Sequence, residues 1–154
     1  MTPYQKGLKE GIARAFNLKG QLVMQIEFHQ DKRHGPATQY FPSGKIFKEV
    51  HFIDDLEEGE EKIYFEDGKL GKLVVFKNGK MDGIYQEWNE KGVLVFEAEY
   101  KDGRRNGKFN KYYENGKPSV LQVFVDDQLH GVKKSYDREG KLIESKYDKG
   151  KKVA

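Results

Sequence analysis

The stretch GIYQEWNEKGVLVFEAEYKDGRRN, residues 83–106, decides how this chain is read. Trp88 stands five residues after Gly83, the pair Lys91-Gly92 lies near its centre, and Tyr100 stands seventeen residues after Gly83. The same spacing returns on both sides. Gly11, Gly35, Gly59, Gly83, Gly107 and Gly131 recur every 24 residues, as do Gly20, Gly44, Gly68, Gly92, Gly116 and Gly140. One aromatic column reads Phe16, Tyr40, Tyr64, Trp88, Tyr112, Tyr136, and a second reads Phe28, Phe52, Phe76, Tyr100, Phe124. Only the last unit departs, with Tyr147 one place early and Asp148 in the slot. Residues 11–154 therefore divide into six units (11–34, 35–58, 59–82, 83–106, 107–130 and 131–154), preceded by a partial leading unit at 1–10. The repeats consume the chain and leave no room for a separate catalytic domain.

Within a unit the apolar residues alternate, as in Leu22, Met24, Ile26, Phe28 and in Leu70, Val74, Phe76. That is the period of a strand, in residues that favour strands. Lys19-Gly20, Ser43-Gly44, Asp67-Gly68, Lys91-Gly92, Asn115-Gly116 and Glu139-Gly140 read as hairpin turns. The residue before glycine varies too widely for a turn needing positive φ at both positions. A type I turn with glycine in the left-handed slot of a bulge fits better. The second connection, such as Lys77 to Gly83, reads as longer and polar. The expected architecture is all-β: an elongated, twisted, single-layer antiparallel meander of roughly a dozen strands of about five to seven residues. Its stability is a sum of local interfaces, and the Lys-rich second strand of the last unit (Lys141, Lys146, Lys149) would blunt an exposed edge.

Composition narrows the function classes. Of the 154 residues 13% are aromatic, which excludes simple disorder despite 34% charged residues. The longest apolar runs, Leu73 to Phe76 and Val93 to Phe96, are too short to span a membrane, and the N-terminal MTPYQKGLKEG lacks the apolar core of a signal peptide. The absence of cysteine fits a reducing, cytoplasmic setting. A net charge of +3 from 28 basic and 25 acidic residues is not a nucleic-acid footprint.

The tandem units, as in Tyr100-Lys101-Asp102-Gly103-Arg104-Arg105-Asn106-Gly107 and Tyr112-Tyr113-Glu114-Asn115-Gly116-Lys117, resemble the MORN-repeat variant of bacterial proteins often labelled YwqK-family antitoxins. The resemblance covers residues 4–150 and implies a β-hairpin scaffold for interactions. The antitoxin label suggests neutralising a toxin by binding it, and the wider MORN family has been linked to membranes and acidic phospholipids. Asp31, Asp55 and Asp127 depart from the pattern where Gly79 and Gly103 sit in other units, so a different turn conformation is expected there.

Chemistry finds little support. His29, His34, His51 and His130 form no metal-ligand spacing, and His34 and His130 share a polar turn column with Glu58, Asp82 and Asn106. Gly103 to Lys108 is one residue short of a phosphate loop and is followed by Phe109, not Ser or Thr. Four serines and no cysteine give a nucleophilic triad little to work with. No catalytic residue, metal or cofactor is expected. The acidic cluster Asp54, Asp55, Glu57, Glu58 reads by default as a solvated turn and more sharply as a docking patch for a basic partner; Arg104, Arg105, Lys108, Lys111 read as soluble surface or as steering for a partner or an anionic membrane.

A single-layer sheet has nothing to cover its apolar face. The aromatic columns read first as the packing that holds the hairpins together. If both share one face, a continuous stripe also stays partly open, and Phe16, Tyr40, Tyr64, Trp88, Tyr112 and Tyr136 become the partner-binding candidates with Trp88 as anchor. The leading expectation is a non-enzymatic scaffold binding a protein partner, with a toxin implied by the resemblance. Association with an anionic membrane through the basic units comes second, and single-stranded nucleic acid is the least favoured. A second copy of the chain could cover the same face.

Overall fold

A computed structural model describes residues 1–153. Every regular element is a strand. A short ribbon of β1 (Tyr4–Gln5) and β2 (Leu8–Lys9) precedes a 14-stranded antiparallel sheet. Its strands are β3 (Gly11–Phe16), β4 (Leu22–His29), β5 (Lys32–Tyr40), β6 (Ile46–Ile53), β7 (Leu56–Glu57), β8 (Gly59–Tyr64), β9 (Leu70–Lys77) and β10 (Lys80–Trp88). Then follow β11 (Leu94–Lys101), β12 (Arg104–Tyr112), β13 (Pro118–Val125), β14 (Gln128–Tyr136), β15 (Leu142–Asp148) and β16 (Lys151–Val153). Neighbours in sequence are neighbours in the sheet, with β7 pairing β6 just before β8 does, and the sheet does not close. The strands from β4 onward mostly run eight or nine residues, longer than expected. The extra length comes from the second connection, which is no loop.

The first turns are as expected. Gly92 N–H donates to Asn89 O at 2.8 Å, Asn89 N–H donates to Val93 O at 2.9 Å, and Gly92 has φ +80° while Glu90 and Lys91 keep negative φ. The geometry is a type I turn closed by a left-handed glycine, repeated at Gly20, Gly44, Gly68, Gly116 and Gly140. A bulge in the second strand follows each of the first five such turns.

The second connections are two-residue turns with positive φ at both positions, for example Asn78 (49°) and Gly79 (74°), which is type I′. Asp31, Asp55 and Asp127 take the same left-handed conformation (φ 68°, 71° and 66°), so the expected difference is not found. Aspartate visits that region more readily than most residues, and its carboxylate bonds the strand that follows the preceding type I′ turn. Here Asp55 Oδ1 accepts from Arg33 N–H at 2.9 Å, and Asp127 Oδ1 accepts from Arg105 N–H at 3.0 Å. Most of the first glycine column sits inside the strands, with Gly11 and Gly59 opening theirs. Opposite Val75, β10 carries three residues, Asp82 to Ile84, between the pairs Met81↔Phe76 and Tyr85↔Val74.

Successive type I′ turns hang on one another. Asp55 N–H donates to Arg33 O, Gly79 N–H to Glu57 O, Gly103 N–H to Met81 O and Asp127 N–H to Arg105 O, all at 2.8–3.0 Å. Side chains from the column before the first glycine close the remaining donors. Glu10, Glu58 and Asp82 accept from the backbone N–H of Gln30, Asn78 and Asp102 in the next turn. His34 and His130 occupy the same column and face Asp54 and Asp148 at 3.4 Å. This polar column is therefore structural.

The sheet has two unlike faces. On the first, the cross-strand ladder Ala13–Ile26–Ala37–Val50 resumes beyond Glu61 as Val74–Tyr85–Ala98–Phe109. At the break Lys48 Nζ meets Glu61 Oε2 at 2.8 Å. Val74 and Ala98 are only 2% exposed, so the core is a line of side chains along one face. On the second face the matching ladder is polar: Arg14–Gln25–Thr38–Glu49–Lys62–Leu73–Gln86–Glu97–Asn110.

Candidate interaction surface

The two aromatic columns lie on opposite faces. Tyr100 pairs with Gly83 and belongs with Tyr85 and Ala98 on the apolar face, whereas Trp88 follows Glu87 and alternates to the polar face. A single stripe combining both columns does not form. Each face instead carries its own aromatic set, in different chemical surroundings.

On the polar face sit Phe16, Tyr40, Tyr64, Trp88, Tyr112 and Tyr136. Phe16 is 53% exposed and the other five are half-buried. Two of the hydroxyls are tied down: Tyr64 donates to Glu49 Oε2 at 2.7 Å and Tyr112 to Glu97 Oε1 at 2.6 Å. Each carboxylate lies diagonally across, since Glu49 pairs with Lys62 and Glu97 with Asn110. Burial and then the Glu49 carboxylate push the Tyr64 phenol up to about 12. Burial and Glu97 push Tyr112 in the same direction. Burial pushes the Glu97 carboxyl up, but the Tyr112 and Asn110 hydrogen bonds outweigh it and hold Glu97 below its ordinary value. The diagonal position facing Trp88 is Leu73, which offers no acceptor, and Trp88 has no hydrogen bond among the described residues.

The apolar face carries an aromatic ridge that the column spacing did not reveal. Tyr85, Phe96, Phe109 and Phe124 meet edge to face in sequence, with ring centroids 5.5, 5.0 and 5.1 Å apart, and Tyr100 lies 6.2 Å from Tyr85. Such pairs contribute about 0.5–1.5 kcal/mol each beyond area burial. The Arg105 guanidinium lies 4.2 Å from the Phe124 ring centre, Arg33 repeats this over Phe52 at 4.1 Å, and Lys72 Nζ lies 4.8 Å from that of Tyr85. Three of these rings, Tyr85, Phe96 and Phe109, belong to neither glycine-phased column; the alternation within β10 to β12 was the available signal.

The two charged patches are partly consumed by the fold. Asp55 holds the Arg33 guanidinium at 3.0 Å, and its carboxyl sits below the ordinary range because the Arg33 backbone N–H and then the guanidinium bond it. Glu58 caps a turn, while Asp54 is exposed near His34 and Glu57 is half-buried. Of the basic set, Arg105 is held by Asp127 at 3.0 Å, and Arg104, Lys108 and Lys111 stay exposed. At the hairpin-turn edge of units two and three, a groove of about 370 Å³ opens between Phe41, Phe47, Ile63, Phe65, Gly71 and Lys72.

The turn and bulge geometry recurs at the spacing of a known family. The model of the MORN repeat variant matches residues 33–54, 57–78, 81–102, 105–126 and 129–151, and the chain belongs to that family. MORN repeats are scaffolds, generally non-enzymatic, that bind proteins or membranes. Each match begins just after a type I′ turn and spans one hairpin of the sheet. The hairpin β3–β4 lies outside the matched residues yet keeps the same turn and bulge. No curated protein matches the chain.

Proposed function

We propose that this protein is a non-enzymatic scaffold that binds a protein partner, in the toxin-neutralising manner that the YwqK resemblance implies. One observation carries the reading. A one-layer sheet presents half-buried aromatic side chains on both faces, with no second layer over either. Rings so placed gain by further burial, and Tyr and Trp are the side chains that most often dominate binding energy. Trp88 is the proposed anchor on the polar face, since its neighbours leave its indole N–H free. Arg104, Lys108 and Lys111 would add steering for an acidic partner. Membrane association draws less support, because Lys101 faces Asp82 and Arg105 is held by Asp127, which thins the basic surface.

The test is affinity capture from the source cells with wild type, Trp88→Ala and Tyr85→Ala, each first shown to unfold at a temperature near that of wild type. A stoichiometric protein retained by wild type and lost with one variant supports the reading. Recovery indifferent to both variants, or retention only by anionic vesicles, refutes it.

A further inference from the structure

The groove at the hairpin-turn edge is where the repeat breaks its own rules, and each break removes something the fold would use. At the first turn position, Asn17, Asn89 and Asp137 each accept two backbone N–H groups of their own turn through one side-chain oxygen. Units two, three and five place Phe41, Phe65 and Tyr113 there instead; Tyr113 donates its hydroxyl to Tyr136 O, while the two phenylalanines line the groove. Phenylalanine caps nothing, and in unit three the remaining cap is a single bond from Lys69 N–H to Asp67. Six residues further on, the bulge column reads Val23, Phe47, Gly71, Val95, Ser119, Ile143. Gly71 has no positive φ, so the backbone does not require glycine; a Cβ there would stand 3.0 Å from the Phe65 ring. Phe41 and Phe47 meet edge to face at 5.1 Å. Three phenylalanines are thus gathered at a partly exposed edge, around a glycine that keeps the space between them open.

Local choices that weaken turn and strand without a compensating structural gain are the mark of a functional site. The surroundings indicate what fits. Lys72 and Glu66 line the groove; Lys48 follows Phe47, Lys69 closes the Phe65 turn, and Lys45 Nζ reaches Glu66 O. Lys48 is paired with Glu61 and Lys69 with Asp67. Lys45 Nζ reaches only the Glu66 carbonyl and Lys72 Nζ only the Tyr85 ring, so both cations lack a carboxylate among the described residues.

From this we infer that the groove of Phe41, Phe47, Phe65 and Gly71 receives a large apolar side chain of the protein partner, with an adjacent Asp or Glu reaching Lys45 and Lys72. The inference rests on the scaffold reading and adds to it a place and a chemistry. The groove's size and apolar lining suit one aromatic or aliphatic anchor, and the anchor's neighbour supplies Lys45 and Lys72 with the carboxylate that Glu66, bonded only through its carbonyl, does not.

The experiment is selection of a displayed random-peptide library on wild type and on Phe65→Asn, Gly71→Val and Lys72→Glu. Phe65→Asn restores the turn cap of Asn17 and Asn89, and Gly71→Val restores the residue of Val23 and Val95. Phe65→Asn is expected to unfold at or above the wild-type temperature, and Gly71→Val near it once the Phe65 ring gives way to the new side chain. Supporting results are enrichment of peptides with an aromatic or large aliphatic residue beside Asp or Glu, and retention falling at least about tenfold on both variants, equivalent to ~1.4 kcal/mol. Lys72→Glu should remove the acidic preference. No enrichment, equal retention by the variants, or anchors flanked by Lys or Arg overturns the inference. So does sedimentation with phosphatidylserine vesicles that the two groove variants abolish, which would make the groove a lipid site. The scaffold reading fails separately, when wild type captures no cellular protein although the selection succeeds.

Discussion

Gly107 and Gly131 stand in one sequence column, yet the structure gives them different tasks, and replacing each by alanine measures the difference. Both have positive φ, +123° and +77°. At Gly131 a Cβ would meet nothing within 4 Å. Gly131→Ala therefore pays only the left-handed conformation, about 1–2 kcal/mol for an L-residue. At Gly107 the new Cβ would lie 1.9 Å from Glu99 Oε2 and 2.8 Å from Glu99 Cβ. The carboxylate end can swing aside, but the Cβ is fixed to the strand and one backbone must move. Overpacking of that kind adds roughly 1–3 kcal/mol to the conformational cost. The variants should thus separate by ~1–3 kcal/mol in denaturant unfolding, or roughly 2–12 °C in Tm. Equal destabilisation, or a milder effect at Gly107, would show that the strand's extra residues are not pressed against β11 and would refute the bulge packing.

Three further outcomes follow from the same contacts. Phe109→Ala removes the ring joining Phe96 to Phe124 and should cost roughly 2–3 kcal/mol, whereas Phe16→Ala, at a 53% exposed position, should cost under about 0.5 kcal/mol; urea unfolding of the pair checks the ranking. The carboxyls of Glu10, Asp55, Asp82 and Asp127 are held below their ordinary values, first by backbone N–H groups of Gln30, Arg33, Asp102 and Arg105 in and beside the type I′ turns. Their contribution is present above the unfolded carboxylate range near about 4 and is lost as pH falls through the depressed values. Tm should fall on acidification below that range, less steeply in Asp127→Asn, and a flat profile would remove these carboxylates from the turn ladder. Tyr64, raised to about 12 by burial and Glu49, behaves oppositely: its contribution is complete below the unfolded phenol value and disappears as pH rises through the folded one. Glu49→Gln should lower the Tyr64 titration seen in tyrosinate absorbance, and an unmoved titration would exclude the Glu49 contact.

The period of 24, the strand class, the neighbour-to-neighbour order and the glycine-closed type I turns were legible because each depends on local residue identity. Glycine or aspartate at the second position of a two-residue turn is also a local signal. It was obscured at Lys77 to Gly83 because Gly83, a strand residue three places beyond the turn strand's start, resembled a second turn glycine. The groove at Phe41, Phe47 and Phe65 was present in the sequence as a departure from the columns. Reading down the repeated spacing drew attention to what the units share, whereas only units two and three join a phenylalanine at the turn to Phe47 and Gly71 in the column six residues on.

The face on which each aromatic falls was not legible, and one residue per hairpin explains why. At the turn Trp88 pairs with Leu94; carried on without interruption, that register would pair Asp82 with Tyr100 and put Trp88 and Tyr100 on one face. The bulge after Leu94 shifts the register by one, so Glu87 pairs with Phe96 and Gly83 with Tyr100, and Trp88 turns to the other side. A one-residue shift reverses every side chain beyond it. The sixth unit supplies the control. There Tyr136 pairs with Leu142 and the register runs unbroken to Gly131↔Tyr147, with no bulge. In the column that aromatic should stand at 148, where it would fall on the wrong face; standing one place early, Tyr147 lies opposite Gly131 as Phe124 lies opposite Gly107. What reads as decay of the repeat is a missing bulge and the aromatic shift that compensates for it. The sequence thus keeps the face of the second column, and not its spacing, which is what a sheet with one apolar side requires.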